Sequence, residues 1–216
     1  MSLVDQLERL LDAGLADVAG VGAAELTAHA EAVLREPGAD EPGAVLAVHP
    51  SLAPAHRLAP LLRRHDKAGF VVDDLTDLDE FVPIADLAVP DAPLYLVHEP
   101  DRGDEMRNWS PNEALPAIVE RRRTPLTINE GISWLLQEPK VLEPNHCFMT
   151  VGSRKPKGVG LDARTPAIWI SGGTGRDGAA RRGAAKVGWC WAGNRHTWLG
   201  FASARRRSPR PNGTDR

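Results

Sequence analysis

The last third of the chain constrains the fold most. Four short segments, 146–151, 167–171, 187–192 and 197–204, are rich in β-branched and aromatic residues. Glycine-rich or basic loops separate the first three, and no helical periodicity intervenes, so the segments predict four strands of an antiparallel meander.

The first half reads differently. Residues 2–13 place Leu3, Leu7, Leu10 and Leu11 at helical spacing, and Gly14 ends that helix. Residues 23–34 give a second helix, with Leu26, Ala30 and Val33 on one face. The run 44–48 is continuously apolar, the pattern of a strand buried on both faces. Pro54 suits the first turn of a helix through Leu62, and 70–72 and 94–97 are further short strands. Two helix starts are strongly marked. Ser110-Pro-Asn-Glu113 and Thr127-Ile-Asn-Glu130 are capping boxes, in which a hydroxyl and a glutamate satisfy helix N-terminal donors reciprocally. Pro116 should strain the first of these helices. The fold class expected is α+β, a small α/β N-terminal half packed on a C-terminal antiparallel β-meander. One globular domain spans 1–204, with an acidic helical and α/β half (1–100) followed by two capped helices and the sheet (101–204). Residues 205–216, basic and without an apolar side chain, read as a disordered tail.

At 216 residues, 42% hydrophobic and 25% charged, the composition is that of a globular protein. No apolar run approaches the ~20 residues that span a bilayer, and the first residues lack a basic-then-apolar leader pattern. A cytoplasmic location and no membrane partner are expected. The two cysteines are too few for a disulfide framework and read as free thiols. Residues 1–100 hold 6 basic and 18 acidic side chains, a balance of -12, and the remaining 20 and 11 give +9. The asymmetry implies either two halves that attract each other or two faces with different partners. A nucleic-acid partner is disfavoured, because such domains are basic overall. The oligomeric state is left open.

The densest chemistry lies in residues 188–200, Gly-Trp-Cys-Trp-Ala-Gly-Asn-Arg-His-Thr-Trp-Leu-Gly, which hold half of the six tryptophans. Read as a hairpin turning at Asn194-Arg195, the segment sets Trp191 opposite Trp198 and puts Cys190 on the face opposite Trp189 and Trp191. One reading is structural, with the tryptophans as core anchors. The other is an active site: His196 as acid or base, Asn194 as polar anchor, and Cys190 or Cys147 as a thiol that a nearby cation would activate. Trp189, Trp191 and Trp198 would wall the pocket. A metal centre built on His146, Cys147, Cys190 and His196 is disfavoured, since neighbours in a strand point to opposite faces. No metal and no cofactor is assigned. Residues 101–109 form a second polar cluster, in which Arg107 is placed to hold a carboxylate, with Asp104 and Trp109 beside it. The segment 172–178 is glycine-rich but lacks the Gly-Lys-Ser/Thr ending of a phosphate loop.

Several strings together resemble the actinobacterial domain-of-unknown-function family DUF5701. They are Arg102-Gly-Asp-Glu through Asn108-Trp109, Arg123-Thr-Pro-Leu-Thr127 with Glu130-Gly131, Cys147-Phe148, Gly152-Ser-Arg154, Ala167-Ile-Trp-Ile-Ser171, Gly188-Trp-Cys-Trp191, Asn194 and His196-Thr-Trp-Leu-Gly200. The resemblance covers most of 44–204 and implies a bacterial protein. It carries over no activity and no catalytic residue. The basic link 172–186 is longer here than in the family's pattern. The function expected is a small-molecule enzyme or ligand-binding protein with an aromatic pocket. The alternative is a non-enzymatic interaction protein that meets a protein or anionic partner through its charge asymmetry.

Overall fold

The computed structural model describes residues 1–209. The α-helices are α1 (Leu3–Asp12), α2 (Leu15–Ala19), α3 (Ala23–Leu34), α4 (Ala55–Leu58), α5 (Pro111–Glu120) and α6 (Ile128–Gln137). The principal strands are β1 (Ala44–Val48), β2 (Phe70–Val71), β3 (Leu94–His98), β4 (Cys147–Met149), β5 (Arg164–Ile170), β6 (Ala185–Trp191), β7 (Leu199–Phe201) and β8 (Arg206–Ser208). The class is α+β, as the sequence indicates. No helix of the described residues is long and apolar enough to cross a membrane.

Two sheets carry the fold. The smaller is antiparallel, in the order β1-β3-β8. Every residue of β1 and β3 is buried, which explains their unbroken apolar runs. The free edge of β1 is closed by side chains rather than by another strand. Gln6 on α1 donates to the Ala44 carbonyl at 2.8 Å and accepts from the Leu46 amide at 2.7 Å, and Ser133 on α6 accepts from the Val48 amide at 3.0 Å. A buried edge left open would strand these groups without partners.

The larger sheet runs β7-β4-β5-β6-β2 and is mixed. Its centre, β4-β5-β6, is the expected antiparallel meander. Its flanks are not: β7 lies parallel to β4, and β2, from the first half of the chain, lies parallel to β6. The hairpin expected at Asn194-Arg195 therefore does not form. Trp191 faces Arg164 on β5, and Leu199 faces Cys147 two strands away. Turn chemistry specified a reversal, but burial of Leu199, Gly200 and Phe201 against β4 decides where the chain goes next.

Helix α6 is sandwiched between the two sheets, and nine of its ten residues are buried. Gly131 allows the approach, because a Cβ there would sit 2.7 Å from the Thr150 methyl and 3.3 Å from the Phe148 ring. Helix α5 covers part of the opposite face of the larger sheet and buries only Pro111, Ala114 and Ile118. Pro111 stands in its first turn as expected, and the helix continues through Pro116 to Glu120.

The tail expectation is corrected for residues 205–209. β8 pairs with β3, and Arg207 is buried. Its guanidinium meets the Glu130 carboxylate at 2.5 and 2.7 Å, while Tyr95 donates to the same carboxylate at 3.0 Å. A basic segment with a buried carboxylate to meet does not stay in solvent. The remainder of the expected tail, 210–216, lies outside the described residues.

Part of the charge asymmetry is met by ion pairs within the molecule. Asp77 binds Arg164 and Lys155 at 2.6 and 2.7 Å, Asp73 binds Arg181 at 2.9 Å, and Glu41 binds Arg205 and Arg206 at 2.7 and 2.8 Å. These pairs join the acidic half to the basic half.

Candidate functional site

Side chains alternate across the larger sheet. Phe148, Ile168, Val187 and Trp189 point to the face covered by α6 and the smaller sheet. Cys147, Met149, Ala167, Trp169 and Cys190 point to the other face, where Met106 and α5 cover only one end. The uncovered end is a cleft of about 370 Å³. Its lining includes Trp169, Trp198, His196, His146, Cys147 and Cys190.

Trp169 forms the floor. Its six-membered ring lies across Gly188 on the neighbouring strand, where any Cβ would collide with it. That contact is the physical reason for a glycine at the head of the Gly-Trp-Cys-Trp string. The Lys186 ammonium sits over the Trp169 ring, 4.8 Å from its centroid, and is tethered at 2.8 Å to Asp177. Asp177 also accepts from Ser171 at 2.8 Å. The glycine-rich loop is thus a strap tied down along one wall by Asp177.

The opposite wall is the 192–198 loop. His196 and Trp198 stack, centroids 4.7 Å apart and planes 15° from parallel, and Trp198 is half exposed. The loop is pinned to the start of α5 by three contacts. The Asn108 amide donates to the His196 carbonyl at 3.0 Å, the Asn112 amide to the Ala192 carbonyl at 3.1 Å, and Arg195 pairs with Glu113. The Glu113 carboxyl is held below its usual range, first by the Ser110 amide and hydroxyl and then by Arg195. The capping box therefore does two jobs, starting α5 and anchoring the wall of the cleft.

At the rim, Arg107 Nη2 lies 3.3 Å from His146 Nε2 and 3.5 Å from Asp104. Glu143 lies 3.1 Å from His146 Nδ1. Arg107 is exposed, so its remaining donors are available to a ligand.

The structure thus gathers His196, Trp198, Cys147 and Cys190 in one cleft, with Arg107 and Asp104 at its rim. It separates the others. Trp189 borders the cleft, but its ring packs on the covered face, edge-to-face with Trp191 at 4.6 Å and with Nε1 3.4 Å from Asp74. Trp191 is exposed outside the lining. Trp109 is exposed and lies under Arg121, 5.9 Å from its guanidinium carbon. Asn194 is exposed beyond the turn. Sequence reasoning missed Trp169. The signal was present in the alternation of Ala167-Ile-Trp-Ile, which sets Trp169 on the face of Ala167 and Cys190.

Neither cysteine is set up as a thiolate. Burial pushes the Cys147 thiol far above its usual range. Burial also raises Cys190, and the hydrogen bonds from the Trp191 backbone and the Asn194 side chain recover only part of that. Both are free thiols. Among the described residues no carboxylate pairs with His196, and no group of three or more His, Cys, Asp or Glu side chains is placed to hold a metal ion.

No curated protein and no solved structure matches the chain. The model of one family, of unknown function (DUF5701), matches residues 9–210. That span takes in both sheets, the strap, the 192–198 wall and the buried Arg207, so the chain belongs to the DUF5701 family.

Proposed function

We propose that this protein binds a small molecule non-covalently in the aromatic cleft. The observation that carries the reading is the arrangement of Trp169 as floor and the His196–Trp198 stack as wall, on a sheet face that α5 leaves uncovered. Ligand sites have this makeup, an apolar and aromatic lining with a few placed polar groups. The raised thiols favour binding over thiolate chemistry, because the thiolate is the nucleophile. His196 remains the cleft's candidate acid or base, and Arg107 its candidate carboxylate anchor. Pairs between the acidic and basic halves engage some of the charge that an electrostatic partner would use.

The test is isothermal titration of the wild type, Trp198→Ala and Arg107→Ala with one- and two-ring aromatic compounds, neutral and carboxylated. Binders should lose at least tenfold in affinity in Trp198→Ala, and Arg107→Ala should weaken the carboxylates selectively. A panel that binds nowhere, or that binds all three proteins alike, would remove the reading.

A further inference from the structure

A second cleft, of about 250 Å³, lies on the far side of α6 from the larger sheet's open face. It opens between the segments 50–55 and 78–89 and the first turn of α6. Leu78, Phe81, Val89 and Ile128 make most of its wall apolar. Asn129 also lines it, although the residue is only 4% exposed.

The orientation of the Asn129 carboxamide is fixed by its donors. Nδ2 donates to the Val48 carbonyl at 3.2 Å and the Ala53 carbonyl at 2.9 Å. Reversing the amide would set its oxygen against two carbonyl oxygens, so the assignment is unambiguous. Both N–H groups are spent, and no donor among the described residues reaches Oδ1. This oxygen is not among the fully enclosed polar atoms that lack partners, so it opens on the cleft. An acceptor that no protein donor reaches, set in a mainly apolar cleft, is open to a donor from a bound molecule.

The Tyr95 hydroxyl is spent on Glu130. The Ser153 and Thr127 oxygens accept from the Ile128 and Glu130 amides at 2.9 and 3.3 Å, which leaves their O–H groups as secondary donors at the cleft. Asp79, paired with His56, is the carboxylate in the lining, and it repels anions. We infer that this cleft is a second binding site, for a small uncharged and mainly apolar molecule that donates one hydrogen bond, from a hydroxyl or N–H, to Asn129 Oδ1.

The probes are three six-membered aliphatic rings of similar size: cyclohexanol, which donates; cyclohexanone, which does not; and cyclohexanecarboxylate, which is charged. Binding is followed by ¹⁵N NMR through the Asn129 side-chain amide and the backbone amides of residues 127–129. Cyclohexanol should shift these signals and leave the Trp198 indole signal unmoved. Cyclohexanone should bind about tenfold more weakly, the ratio that one neutral hydrogen bond supports. The carboxylate should not bind. Val89→Trp, which fills the cleft, should abolish the response. Val82→Trp, at its exposed mouth, should weaken it and serves if Val89→Trp does not fold. Equal response to alcohol and ketone, or no response at 127–129 to millimolar cyclohexanol, would overturn the inference.

Discussion

The two faces of the five-stranded sheet are covered by two helices that begin with the same device, and they differ in what they leave open. α6 and α5 both start at a capping box. α6 is buried almost entirely, and its polar residues hold neighbouring backbone in place: Ser133 and Asn129 reach β1, and Glu130 meets Arg207 and Tyr95. α5 buries a single stripe, and Val119 on its outer side is 60% exposed. The covered face is therefore committed to stability. The partly covered face keeps two aromatic surfaces in contact with solvent. Identical local signals make either kind of helix, and the difference lies in what the rest of the chain packs against them.

The largest expected effect lies between the sheets. Arg207→Ala leaves the Glu130 carboxylate buried and unpaired, and should cost about 3–5 kcal/mol in urea unfolding. The double variant Arg207→Met/Glu130→Gln should regain part of that loss, because it removes both charges and keeps an acceptor for the Tyr95 hydroxyl and the Thr127 amide. A cost below about 1 kcal/mol for Arg207→Ala would mean that β8 does not secure the small sheet.

Gly131→Ala sharpens the comparison between the helices. On helix propensity alone the change would stabilise by about 1 kcal/mol. Against the Thr150 methyl and Phe148 ring it should instead cost about 1–3 kcal/mol. Val119→Ala on α5 should stay within about 0.5 kcal/mol. If the two substitutions moved the unfolding midpoint alike, the covered and open faces would not differ as described.

A smaller effect is expected in acid. The Arg164 hydrogen bond lowers the Asp162 carboxyl to about 2, against burial that raises it. A carboxyl depressed in the folded state stabilises fully above its unfolded value, near 4, and loses that contribution as pH falls toward 2. Urea midpoints measured from pH 7 to 2.5 should fall through this window. Arg164→Gln should be less stable at pH 7 and show a shallower fall.

How much of this was legible in the sequence follows from how local each signal is. The helix at 23–34 and both capping boxes were readable, because caps and apolar stripes act over a few residues. The alternation that separates Cys190 from Trp189 was readable for the same reason. The partner strand of Leu199 was not, since β4 lies about fifty residues earlier in the chain and the turn at Asn194 favours a different pairing. Arg207 read as solvated tail because its partner carboxylate is 77 residues away. The cleft was half legible. Its histidine, cysteines and Trp198 stood out by type, but Trp169 is marked only by the glycine that its ring crosses.

The tryptophans themselves offer the most direct test that the open face is the ligand site. Trp169 and Trp198 line the cleft, while Trp134, 6% exposed, packs against Phe148 at 5.8 Å on the covered face. Indole N–H signals followed by ¹⁵N NMR during titration with the aromatic panel should shift for Trp169 and Trp198 and stay fixed for Trp134. Shifts of equal size at all three, or at Trp134 alone, would contradict the account.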